Sequence, residues 1–179
     1  MDIEKLRFPI GKYNPGEIKI DTINGWIEEL RSFPAKLVEA VEGLTKEQLA
    51  YTYRPEGWNI QQLVHHLADS HMNSLIRFKL ALTEENPTIK PYLEAEWAKH
   101  YDVQTVPIEA SINILKGVHE RLATMLSDFE VLDFSRIYTH PEYGKTMDLA
   151  FTVGMYAWHG NHHLAHIRQA LQYKKVNWE

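Results

Sequence analysis

Apolar residues recur at every third and fourth position through four long stretches of the chain, and prolines and glycines gather in the breaks between them. The first stretch runs from Thr22 and places Ile23, Trp26, Ile27, Leu30, Phe33, Leu37, Val41 and Leu44 on one helical face. Pro34 falls inside it and lacks the N–H that a helix interior needs, so the spacing predicts a kink or two short helices meeting near Ser32. Asn59 is a suitable N-cap for a second helix, from Ile60 to about Leu82, on the stripe Ile60, Leu63, Val64, Leu67, Leu75, Phe78 and Leu82. A third begins with Pro107 at its first position and follows Ile108, Ile112, Leu115, Val118, Leu122, Met125 and Phe129. Asp148 caps the last, which runs from Leu149 to about Tyr173. Thr45 and Gln48 form a capping box for a short helix. The segment FPIGKYNPGEIKI reads as an irregular arm, the stretch around Trp97 as a connection with one short helix, and SRIYTHPEYGKTMD as a small hairpin or an ordered loop. Four long amphipathic segments without a set of strands predict an all-α, antiparallel four-helix bundle.

Composition narrows what such a bundle can be. The length of 179 residues suits one domain spanning 1–179. A net charge of −5 with scattered Lys and Arg leaves no basic patch, so neither nucleic acid nor a membrane is expected as a partner. With no cysteine, disulfides, thiolate nucleophiles and Cys-containing zinc sites are excluded, and His and carboxylate remain as the strong metal ligands. The N-terminal MDIEKLRFPIGKY has no signal-peptide pattern, so the expected location is cytoplasmic.

Seven of the ten histidines fall in two stretches, LVHHLADSH and WHGNHHLAH. On a wheel of the last helix, His159, His162, His163 and His166 share an arc of about 100°. Two pairs spaced to offer adjacent nitrogens to one ion compete there, His159 with His163 and His162 with His166. The apolar stripe lies nearer the first pair, which makes it the inward one. A single histidine is more often a satisfied core or surface residue than a ligand; four on one face, matched by three on another helix, suit a divalent ion such as zinc or nickel. The third ligand stays open at this level. The wheel of the second helix favours His71, with His65 and His66 flanking it on opposite sides.

WNIQQLVHHLADSHMNSLIRFKLALTEE together with YAWHGNHHLAHI resembles the YfiT-type members of the DinB-like superfamily, and FPIGKY, PAKLVEAV and KPYLEAEWA extend the resemblance over nearly the whole chain. The resemblance implies a four-helix bundle holding one divalent metal ion, Zn2+ or Ni2+, on His66, His159 and His163, with coordination positions left open. It also implies a metal-dependent hydrolase, or alternatively a transferase using a low-molecular-weight thiol such as bacillithiol. A homodimer is expected on the same ground. A non-catalytic module that binds metal or a ligand is the third reading.

Three residues are candidates for moving protons: Asp69 as base or as a partner to a ligand histidine, and, with weaker claims, His162 and His71. For His162 a solvated face is the favoured reading. Arg54 and Arg77 are candidates for neutralising an anionic group on a small-molecule substrate. Trp58, Trp97, Tyr156 and Trp158 read mainly as core, with Trp158 shaping the entrance. His100, His119 and His140 are isolated in sequence and read as surface residues.

Overall fold

All four amphipathic stretches form helices in the computed structural model, which describes residues 2–178. In chain order the elements are α1 (Ile3–Arg7), α2 (Ile20–Val41), α3 (Lys46–Leu49), α4 (Ile60–Thr83), α5 (Glu94–Trp97), α6 (Tyr101–Thr105), α7 (Ile108–Ser127), β1 (Ile137–His140), β2 (Lys145–Asp148) and α8 (Leu149–Tyr173). The capping boxes at Thr45 and Asn59 close as the sequence predicts, and the Asp148 side chain accepts from the Phe151 N–H. Pro107 stands one position earlier than expected, as the N-cap of α7. A short helix, α1, precedes the irregular arm, and the Trp97 connection contains two, α5 and α6. β1 and β2 pair antiparallel, with Ile137 opposite Asp148 and His140 opposite Lys145.

Helices α2 and α4 each pack against both α7 and α8, so the four long helices make a bundle in which α2 faces α4 across the diagonal. Its interior is two apolar clusters rather than one. Ile27, Leu30, Leu75, Phe78, Leu122, Val153 and Ala157 belong to the first. Phe33, Leu37, Leu67, Leu115, Leu164 and Ile167 belong to the second. Every long helix crosses from one cluster to the other, and three of them carry histidine at the crossing: His71 on α4, His119 on α7, His159 and His163 on α8. A polar layer of this kind is tolerated inside an apolar core only when its atoms are bonded.

α2 supplies the fourth side of that layer through its proline. The two short helices that could have met near Ser32 are one, and α2 continues through Pro34. In a regular helix the N–H of position 34 would bond the Leu30 carbonyl. Proline leaves that carbonyl free, and His119 Nδ1 reaches it at 2.5 Å. The bond that would otherwise be missing is replaced from α7. Close approach of α2 to α8 depends on glycine, because a Cβ at Gly160 would sit 3.0 Å from the Phe33 ring and one at Gly154 would collide with Trp26 and Tyr13.

Candidate metal centre

His66 from α4 and His159 and His163 from α8 come together at the edge of the polar layer, with one ring nitrogen of each within 4.8 Å of the others. The Nε2 atoms of His66 and His159 are 3.3 Å apart. Two nitrogens each bound at 2.0–2.1 Å to a tetrahedral zinc would be separated by about 3.3–3.4 Å. The spacing therefore fits an ion. Burial holds all three imidazoles neutral: it lowers His66 to about 4 and is the first cause that puts His159 and His163 well below the usual range, with neighbouring histidines adding to it. Neutral imidazole is the form that binds a metal.

Which nitrogen His159 and His163 offer is decided by their neighbours. The Leu30 carbonyl can only accept, so His119 Nδ1 carries a proton and its Nε2 has a lone pair. That lone pair takes a hydrogen bond from His71 Nδ1 at 2.9 Å. The Nε2 lone pair of His71 in turn takes one from His159 Nδ1 at 3.2 Å, which leaves the His159 Nε2 lone pair facing the cluster. A second relay orders His163. The Arg7 carbonyl, at the end of α1, accepts from His166 Nε2 at 3.1 Å; His166 Nδ1 then accepts from His163 Nδ1 at 3.3 Å, and His163 Nε2 is left free to bind. Both relays begin at a carbonyl that lacks a helical partner, one because of Pro34 and the other because a helix ends there.

His71 is thus a buried connector rather than a member of the cluster, although the apolar direction of α4 points at it. His119 and His140, expected at the surface, are buried. So is His162, whose ring stacks on Trp158 at 4.5 Å instead of lying on a solvated face. His65 bonds Ser111 Oγ and the Val106 carbonyl, away from the cluster. His100 is exposed as expected. Asp69 is not brought to the three histidines. It lines a separate cleft with Trp97, His100, Asp102 and Val103, where burial and then Asp102 raise its carboxyl to about 6.

Two cavities meet at His159. An outer cleft is lined by Arg7, Arg54, Trp58 and all three cluster histidines. An inner chamber is lined by Arg77, Tyr92, His140 and Tyr156. Glu94, Tyr143 and Trp158 border both, along with His159. Glu94, which sequence reasoning missed, is the carboxylate on this shared rim. Burial raises its carboxyl, opposed by the charge of Arg77. It lies in a connection without periodicity, where no spacing signals a role.

The family described as the DinB superfamily matches residues 29–167. A protein of Oceanobacillus iheyensis named "Putative metal-dependent hydrolase" is 47% identical over 173 residues, covering 96% of this chain and 98% of its own. A Bacillus cereus protein of the same name is 45% identical, with 97% and 98% covered. Among solved structures, YfiT from Bacillus subtilis, described as "a probable metal-dependent hydrolase with an unusual four-helix bundle topology", superposes with a TM-score of 0.92 at 42% identity, covering 94% of this chain and 97% of that one. A mycothiol-dependent maleylpyruvate isomerase shares the fold alone, with a TM-score of 0.64 at 16% identity over 81% of this chain and 60% of that one.

Proposed function

This chain belongs to the DinB superfamily, and from that premise we propose that it is a metal-dependent hydrolase whose ion is held by His66, His159 and His163. The observation that carries the reading is the convergence of three neutral imidazoles, two of them with the binding nitrogen set by a carbonyl-anchored relay. Three protein ligands are the number found in catalytic zinc sites, since structural sites use four. A divalent ion bound there supplies Lewis acidity and lowers the pKa of water toward neutrality. The protein's own groups do the rest. His71 and His166 hold the ring planes and tautomers of the ligands. Trp58, 4.7 Å from the His66 ring, covers one side of the cluster and limits water there. Glu94, raised in pKa and facing both cavities, takes the proton from attacking water and returns it to the leaving group.

A second reading, transfer of a low-molecular-weight thiol, is favoured by the two cavities that meet at His159, which offer room for two reactants. The absence of cysteine places any nucleophilic sulfur on the small molecule. Incubating zinc- or nickel-loaded protein with a panel of esters, amides and other electrophiles, in water alone and with added thiol, separates the two. The hydrolase reading expects product without thiol. Product formed only with thiol replaces it by the transferase reading, and no turnover on any substrate favours a binding module. With a hydrolysed substrate in hand, Glu94→Gln is expected to lower kcat by about 10²- to 10⁴-fold with little change in metal content; an unchanged kcat would remove Glu94 from the proton path.

A further inference from the structure

The inner chamber contains polar atoms that the protein leaves without partners. Among the described residues, five buried side-chain atoms have none: Arg54 Nε, Arg77 Nε, Tyr92 Oη, His140 Nδ1 and His162 Nδ1. Those of Arg77, Tyr92 and His140 line the inner chamber, with Ser70 beside the Tyr92 hydroxyl, and the other two line the outer cleft. Protein interiors bond nearly all their buried polar atoms. Exceptions gathered around two cavities that share His159 therefore mark where a ligand completes the bonding.

Arg77 determines the charge of that ligand. Its side chain comes from α4, is only 9% exposed, and donates through Nη1 to Tyr156 Oη at 2.9 Å. Among the described residues no carboxylate lies within 4 Å of the guanidinium. Glu94 and Glu142 border the same chamber, and Glu94 feels the Arg77 charge, but neither forms an ion pair with the guanidinium. A guanidinium does not shed its proton, and an unpaired buried cation is strongly unfavourable. An anion relieves it. Size and lining then limit what the anion can carry. The chamber holds about 160 Å³, close to the volume of a cavity that accepts benzene, and Met147, Met155 and Pro91 give it apolar walls.

We propose that the inner chamber is a carboxylate-binding subsite, in which Arg77 anchors the carboxylate of a small organic acid while Tyr92 and His140 complete its hydrogen bonds. The body of the acid lies along the apolar wall and its reacting end reaches the rim at His159. This rests on the hydrolytic reading of the histidine cluster and names its substrate class: a compact ester or amide that carries a free carboxylate. Arg77 binds rather than reacts, and its planar fork matches a carboxylate.

Propionate is the probe, with uncharged propionamide and inorganic phosphate as comparisons, and the arginine Nε–Hε signals of the zinc-loaded and metal-free protein are followed by NMR. The Arg77 signal, identified by its loss in Arg77→Lys, is expected to shift saturably with propionate in both forms and not with propionamide. Arg77→Lys is expected to weaken propionate at least about tenfold, and Tyr92→Phe and His140→Ala about three- to tenfold each. The two milder variants keep the test open should the lysine variant fail to fold. An Arg77 signal unmoved by propionate, moved equally by propionamide, or moved by phosphate alone would overturn the subsite. Zinc stoichiometry measured on the same samples separates the failures. Zinc bound without a propionate response sinks the subsite and spares the hydrolytic reading, whereas a propionate response without zinc binding does the reverse.

Discussion

Exchanging His159 for Ala is expected to abolish stoichiometric zinc binding while leaving the helices intact. Structural zinc sites with four protein ligands bind with about 10–16 kcal/mol, or about 2.5–4 kcal/mol per ligand, so losing one of three costs roughly 10²- to 10³-fold in affinity. His71→Phe should cost less, about 10- to 100-fold, the usual effect of altering a residue that orients a ligand. The reason is specific to the relay. Phe keeps an aromatic ring beside Phe33 and His119, but cannot accept a hydrogen bond from His159 Nδ1. His159 is then free to place that proton on the nitrogen the ion needs. His162→Ala, outside both relays, should change affinity little. Competition against a chelator of known affinity ranks the three variants. A His159 variant that binds zinc as tightly as the parent chain would remove the cluster, and a His71 variant weaker than the His159 variant would move a ligand role to His71.

The metal-free protein should also unfold in mild acid. Burial lowers His66, His119 and His162 to about 4 and His166 to about 3, and holds His71, His159 and His163 well below the ordinary value. In the unfolded chain each returns to about 6.5. The unfolded state therefore binds more protons below that pH, and stability is lost as pH falls from about 6.5 toward 4. Each such histidine contributes about 1.4 kcal/mol per pH unit once fully within this window. Asp69 and Glu94, raised rather than lowered, act in the opposite sense but are only two. Against a total stability of about 5–15 kcal/mol, several histidines titrating together should unfold the chain between about pH 6 and 4.5. Helical circular dichroism across pH, with and without saturating zinc, measures this; zinc is expected to move the transition to lower pH. A metal-free chain still fully helical at pH 4 would mean that these histidines are not held neutral by the fold.

Local chemistry made the helices legible. Asn59, Thr45 and Asp148 announce helix starts because capping is a matter of neighbouring atoms, and the structure places all three as caps. The spacing of His159 and His163 was legible for the same reason. His71 and His66 were not separable by periodicity, since the mean apolar direction of α4 points to the middle of the bundle, whereas the cluster sits at its edge beside the outer cleft. Isolation in sequence misled for His119 and His140, because burial is a property of what the chain brings alongside. Pro34 misled differently. Its missing donor is a local fact, but the group that makes good the loss comes from α7, and no local rule could supply it.

That proline has a consequence for anyone who would transplant the centre. Moving the three cluster histidines into another bundle would copy the nitrogens without the vacant acceptor that dictates where the His159 proton resides. A host helix with every carbonyl already engaged offers no starting point for such a sequence of imidazoles. Position 34 therefore belongs to the minimal graft as much as the three histidines do.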